Sequence, residues 1–301
     1  MYREFFGLDS EPFALTPDTE FFFNDRIRQE ALNTLIYGVR SGEGFIKVVG
    51  EVGTGKTTLC RQFLQAIRDE ARTAYILDPV LRGDDLVRNL AQELGIDPEG
   101  HTQTQLVEAI KALMLETWEE GRPVVLVLDE AQALPLETLE QLRLLSNLET
   151  EKAKLLRIVL MGQPELDVRL REPTIRQLRQ RIVYNYHLVP LSKGDLVGYL
   201  DHRLRVAGYN GGQVFRAGAV QGLYRGSGGI LRLVNILAHK SLLAAYGDGD
   251  PQVRRRHVRA AIRDTESARR IPWVSLAGAL AGPLVAAGAV LAPLAGGTGL
   301  T

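Results

Sequence analysis

Cysteine is almost missing from this chain. Cys60 stands alone, which excludes an internal disulfide and a cysteine-based metal site and fits a reducing compartment. Net charge is missing too. Lys plus Arg and Asp plus Glu number 36 each, so no overall field favours a nucleic-acid partner, and nucleic acid is counted against. His101, His187, His202, His239 and His257 are scattered without metal-ligand spacing. The N-terminus lacks an apolar leader core, because Arg3, Glu4, Asp9, Glu11, Asp18 and Glu20 interrupt its aromatics. The bulk of the chain is therefore expected in the cytoplasm. No internal repeat is evident.

The C-terminal end lacks charge altogether, with no ionisable side chain from Ile271 to Thr301. Residues 271–295 read as a transmembrane or packing helix, and Trp273 to Ala295 is long enough to cross a bilayer. Pro283, Pro293 and many Ala and Gly residues oppose insertion. Arg254, Arg255, Arg256, Arg259, Arg263, Arg269 and Arg270 precede the stretch. A single-pass anchor is the favoured reading, and the positive-inside rule then puts the residues before it on the cytoplasmic face of the bacterial inner membrane. A low-complexity tail and a helix packed on a partner are the other readings. Gly278 and Gly282 form a GxxxG pair that would suit helix packing.

What is present is a chain of 301 residues, enough for one α/β domain and a smaller companion. Met1 to Asn24 is aromatic and turn-rich and reads as an extended arm packed onto a domain. A helix is predicted over Asp25–Ser41 from Ile27, Ala31, Leu35 and Val39. Apolar β-rich runs then alternate with helical patterns. The strands are expected at Phe45–Val49, Thr73–Leu77, Val124–Leu128, Leu156–Met161 and Ile182–His187. That alternation predicts a three-layer α/β core with a parallel sheet covered on both faces. After Pro190 every pattern is helical. The expected divisions are an arm and helix at 1–40, the core at 41–190 and a helical lid at 191–268, before the apolar helix.

Gly50-Glu51-Val52-Gly53-Thr54-Gly55-Lys56-Thr57-Thr58 fits the Walker A pattern G-x-x-x-x-G-K-[ST] and sits between a predicted strand and a predicted helix. Glycines there let backbone N–H groups curl around phosphate, and the helix N-terminus favours negative charge. Lys56 would neutralise β/γ-phosphate charge, and the Thr57 hydroxyl would ligate Mg²⁺. The run Val124 to Leu128 ends in Asp129 and Glu130. Asp129 is expected to hold Mg²⁺ through water, and Glu130 to polarise the attacking water. ATP and Mg²⁺ are the expected cofactors, and ATPase activity is the expected reaction.

Gln163 closes an apolar run through Gly162 and reads either as a γ-phosphate sensor or as a loop amide. Arg179 and Arg181, with Arg176, read as a solvated basic face or as donors of an arginine to a neighbouring subunit's nucleotide. Arg232 precedes a long helix, where it would fold over nucleotide or form a surface ion pair.

These motifs together resemble an AAA+ ATPase. The arm Phe5-Phe6-Gly7-Leu8 with Pro12-Phe13-Ala14-Leu15-Thr16-Pro17-Asp18 is similar to the ExeA/GspA-type ATPases of bacterial general secretion. Gly162-Gln163-Pro164-Glu165-Leu166 and Leu178-Arg179-Gln180-Arg181-Ile182 carry the same resemblance. Arg203 to Tyr209 and Asn235 to Lys240 look closest to the MshM branch, associated with mannose-sensitive haemagglutinin (type IV) pilus biogenesis. The resemblance covers roughly residues 1 to 266. It implies a self-oligomeric ring, Mg-ATP hydrolysis, and partners among the inner-membrane proteins of a pilus or type II secretion apparatus. The lid motif departs from the family, with Leu231 where proline is usual before Arg232. The competing readings are a DNA-binding ATPase regulator of the transposition type and a non-hydrolysing nucleotide switch.

Overall fold

The computed structural model describes residues 2–77, 83–149 and 154–268. The arm opens with a short helix, α1 (Tyr2–Phe6), where extended chain was expected. The reason is packing. Tyr2 and Phe6 lie four residues apart, so a helical turn puts both rings on one face, and both are buried. The Tyr2 hydroxyl lies 3.2 Å from His239 Nδ1, on a helix of the lid.

Helix α2 (Arg26–Arg40) begins at Asp25, whose carboxylate accepts the Arg28 backbone N–H at 2.8 Å. Ala31, Leu35 and Val39 recur every four residues and are buried against the sheet. The strands are β1 (Phe45–Gly50), β2 (Arg72–Ile76), β3 (Val124–Leu128), β4 (Leu156–Gly162) and β5 (Ile182–Leu188). They form one five-stranded parallel sheet in the order β2-β3-β4-β1-β5.

Helix α3 (Lys56–Ala66) joins α2 on one face, where Leu59, Phe63 and Ile67 meet Val48 and Val127. The other face carries α4 (Gly83–Glu93), α5 (Gln103–Glu119), α6 (Leu136–Leu145), α7 (Glu165–Arg169) and α8 (Arg176–Arg181). Both faces of β1 and β3 are covered, so neither strand alternates: every residue in them is buried. Edge strand β5 does alternate, exposing Val183, Asn185 and His187.

The lid comprises α9 (Lys193–Val206), α10 (Ala217–Ser227), α11 (Leu231–Gly247) and α12 (Arg255–Arg263). Its hydrophobic cluster takes in Tyr2, Phe6, Leu8, Phe13 and Phe21 of the arm. Packing therefore groups the arm with the lid and α2 with the sheet, although the sequence divided the chain after residue 40.

The expectation of an apolar helix over 271–295 lies outside the described residues. Among the described residues no helix is long and apolar enough to cross a membrane. The longest, α5 and α11, have 17 residues and carry ionisable side chains, whereas a span needs about 20 mostly apolar ones. This corrects the placement of the protein at the inner membrane through a single-pass anchor.

Candidate functional site

Strand order decides where a site can form. From β1 the chain crosses to the far edge at β2, then returns through β3 and β4, so the C-terminal ends of β1, β4 and β3 lie side by side. A crevice beyond such a reversal is where open α/β sheets take ligands. Residues 51–55 leave β1 and curl into α3. Thr54 is fully buried, and its hydroxyl donates to the Glu51 carbonyl at 2.8 Å, closing the turn. Gly53 takes a left-handed φ of +79°, which a side chain at this position would strain.

Lys56 opens α3 and is 6% exposed. Its Nζ donates to the carbonyls of Gly50 at 2.7 Å and Glu51 at 3.2 Å. An ammonium has three donors, so a third remains for an anion in the loop. Burial lowers its pKa, while the charges of Glu130, Asp129, Glu51 and Glu165 oppose that shift. Thr57 Oγ1 donates to Asp129 Oδ2 at 3.1 Å, bringing together the two groups expected to serve one metal ion. A hydroxyl and a carboxylate are hard oxygen donors that fit Mg²⁺, which takes the rest of its shell from water and phosphate. Tyr75 reaches the same Oδ2 at 3.4 Å. Burial first, then the neighbouring Cys60 and Asp129, raises the Tyr75 pKa, so its hydroxyl stays protonated as a donor.

Glu130 is the single non-glycine residue with positive φ among those described, at 51°. This bend after β3 starts a 3-10 turn, Ala131–Ala133. The Glu130 carboxylate Oε2 accepts from Gln132 Nε2 at 2.6 Å and from Gln163 Nε2 at 3.1 Å. Burial pushes this carboxyl up, but the two amides and the Lys56 charge outweigh it and hold the pKa below the usual range. Gln163 thus reaches the loop through Glu130. The helix that follows it, α7, is pinned from below by an ion pair between buried Lys47 and Asp167.

Arg232 enters from the lid. Its backbone N–H donates to Gly53 O at 3.1 Å, and its side chain lines the cavity with Val52, Gly55, Thr57, Thr58 and Glu130. Arg179 and Arg181 do not line this cavity. Arg179 is exposed, while Arg181 donates to Ser146 Oγ at 2.5 Å and so holds the C-terminal end of α6.

Sequence reading missed part of the cavity wall. Ala14 to Asp18 and Phe21 to Phe23 of the arm, with Tyr199, Arg203 and Asn235 of the lid, line the same cavity as Lys56. Arg28 lines it as well. This residue is 2% exposed, donates from Nη2 to Thr54 O at 2.9 Å, and has an Nε with no partner. A buried donor without an acceptor, beside a phosphate-type loop, fits an anionic or nucleotide ligand. An arginine amid the buried positions of α2 was the available signal. Gln132 was missed because an amide two residues past an acid has no motif of its own.

A Walker-type loop, a hydroxyl–carboxylate pair beneath it and a helical lid bonded to it define a P-loop nucleotide-binding fold of the AAA type. Residues 39–170 match the AAA domain family. Over 295 residues the chain is 42% identical to "General secretion pathway protein A" of Aeromonas hydrophila, covering 96% of this chain and 53% of that protein. By these matches the chain is similar to the AAA domain family and to general secretion pathway protein A, and it spans about half the length of that relative. Among solved structures, Cdc6p of Pyrobaculum aerophilum aligns with a TM-score of 0.64 and 19% identity, covering 85% of this chain and 71% of that one. The ADP form of the ORC2 protein of Aeropyrum pernix gives 0.62 and 17%, covering 85% and 72%. At these identities the likeness is of fold alone.

Proposed function

We propose that the protein binds Mg-ATP between core and lid and hydrolyses it as an assembly factor for a type II secretion system or an MSHA-type pilus, working as a self-oligomer. The observation that carries the reading is the 3.1 Å contact between Thr57 and Asp129, with Glu130 next in sequence and Lys56 alongside. In this reading Gly50 to Thr58 cradle the phosphates, Thr57 and Asp129 hold Mg²⁺, and bound Mg²⁺ would offset charge on the phosphate oxygens. Lys56 orients the phosphate chain, Glu130 takes a proton from water, Gln163 keeps Glu130 in place, and Arg232 ties lid angle to nucleotide. Arg179, exposed on α8, is the stronger candidate to act on a neighbouring subunit, because Arg181 is engaged within its own chain. The kinship with general secretion pathway protein A supports the secretion role, and the pilus branch rests on the lid segments alone.

The test is phosphate release by the purified full chain beside Glu130→Gln. The variant should keep Mg-ATP affinity, lose about 100-fold or more in turnover, and assemble with ATP into larger species in solution. Near-normal turnover would remove Glu130 from its role. Salt-sensitive DNA binding by the same preparation would favour the transposition-type reading instead.

A further inference from the structure

We infer that Gln132 is a positioning residue that locks the Glu130 carboxylate and the Gln163 segment into one frame, so that the acid above the phosphate loop and the end of β4 move together. The inference rests on the ATPase reading above and deepens it. One side-chain amide makes both connections. Its Nε2 donates to Glu130 Oε2 at 2.6 Å, and its Oε1 accepts the Gln163 backbone N–H at 2.9 Å. Gln163 returns the link, donating from Nε2 to the same Glu130 oxygen at 3.1 Å. The Gln132 amide, the Glu130 carboxylate and Gln163, which contributes both its backbone N–H and its side chain, form a closed ring of hydrogen bonds. Because both amides engage Oε2, they fix the carboxylate plane and aim Oε1 in one direction.

The surroundings are shaped for this amide. A Cβ on Gly162 would come within 2.9 Å of Gln132 Oε1 and 3.3 Å of its backbone nitrogen, so the end of β4 approaches Gln132 only because residue 162 has no side chain. On the other side Arg169 Nη1 donates to the Gln132 carbonyl at 2.6 Å, tying the turn to α7. Glu130 needs such a brace, since its left-handed backbone is a state that non-glycine residues leave readily. A glutamine suits the task better than a charged residue. Its amide presents a donor to the carboxylate and an acceptor to the backbone at once, which neither Lys nor Glu can do.

The test compares wild type, Gln132→Leu and Gln132→Glu as full chains, reading kcat, KM, melting temperature and fluorescent Mg-nucleotide affinity. Gln132→Leu removes both bonds. Gln132→Glu keeps shape and the acceptor for Gln163 but puts a like charge against Glu130. Both should lose about 10- to 100-fold in kcat, the penalty of a misaimed group, with affinity within about twofold of wild type. Adding Gln163→Leu to Gln132→Leu should cost less than the product of the single effects, because the residues share one ring. Turnover within about twofold of wild type in both variants, or a loss matched by lost affinity, overturns the positioning role while leaving the ATPase reading intact. Should Gln132→Leu not fold, Gln132→Glu carries the comparison. A folded wild type that binds Mg-ATP but releases no phosphate overturns the hydrolysis reading and this inference with it.

Discussion

The backbone N–H of Arg232, in the first turn of lid helix α11, donates to the carbonyl of Gly53 in the phosphate loop at 3.1 Å. The lid therefore touches the loop itself, and a change in one is transmitted to the other through a single turn of helix. Gly53 makes this approach feasible. A Cβ there would fall 2.6 Å from Arg232 Cβ and 3.2 Å from Ile230 Cγ2, in a left-handed backbone state. Gly53→Ala should therefore cost about 1–2 kcal/mol from the backbone alone, before the lid is displaced. Denaturant unfolding and nucleotide affinity should both fall. Unchanged affinity would mean that the lid contact is incidental to binding.

The arm should prove to be part of the nucleotide pocket. Arg203 of α9 is buried, donates from Nε to Pro12 O and from Nη2 to Ala14 O at 3.2 Å, and places its guanidinium 4.3 Å from the Phe21 ring centre. Burial lowers its pKa, yet an arginine stays charged, so these carbonyls and the ring are what stabilise it. Arg203→Ala leaves the Pro12 carbonyl without its donor and Ala14 O with only the 3.4 Å bond from Asn235, and should cost about 2–3 kcal/mol. Arg203→Lys should recover only part, because an ammonium does not reproduce the fork. Limited proteolysis within residues 8–23, read beside nucleotide affinity, checks both effects. An arm equally protected in Arg203→Ala would refute the clasp.

Mild acid should loosen the same clasp. His202 lies beside Phe23, ring centres 5.6 Å apart, and its Nε2 is buried without a partner. Burial first, then Arg203, lowers its pKa, with a backbone hydrogen bond to Phe22 opposing and Arg205 adding to the fall. Folded His202 thus holds its proton less tightly than the unfolded chain does. Its stabilising contribution is complete above the unfolded value of about 6.5 and declines as pH falls toward the folded value. His202→Gln should remove that part of the slope. Urea midpoints between about pH 8 and pH 5 provide the comparison, and parallel curves for the two proteins would exclude His202 as a contributor.

Much of this architecture was legible because the signals were local. The strand Val124–Leu128 coincides with its expected limits, since an unbroken apolar run marks it in the sequence. The loop from Gly50 to Thr58 is spelled out by its spacing. What stayed hidden depends on contacts across long chain separations. Tyr2 becomes helical through His239, 237 residues away, and Arg203 finds its acceptors 191 and 189 residues back. Gln132 and Gln163 stand 31 residues apart and meet only because β3 and β4 are neighbours. Arg181 reads as a candidate for a neighbouring site, and its bonds to Ser146, just past α6, and to the Arg143 carbonyl become visible only in the fold.

Arg28 separates folding from ligand recognition. Its guanidinium pairs with Asp25, both side chains being almost fully buried at 2% and 3% exposure, and also holds the Thr54 carbonyl. Arg28→Met strands a buried carboxylate and should cost about 3–5 kcal/mol. Adding Asp25→Asn removes that charge yet keeps a side-chain oxygen to cap α2, so the double variant should regain most of the loss. Once stability is restored, the unpartnered Nε beside Gly55 and the hold on the Thr54 carbonyl can be tested apart from folding. If Nε donates to bound nucleotide, the double variant should bind Mg-ATP about tenfold more weakly than wild type, as expected for one lost charge-assisted hydrogen bond. Calorimetric titration measures this directly. Affinity equal to wild type in the stable double variant would show that neither the Arg28 Nε nor its hold on the Thr54 carbonyl contributes to binding, and would leave the arm and lid residues that line the cavity to account for recognition.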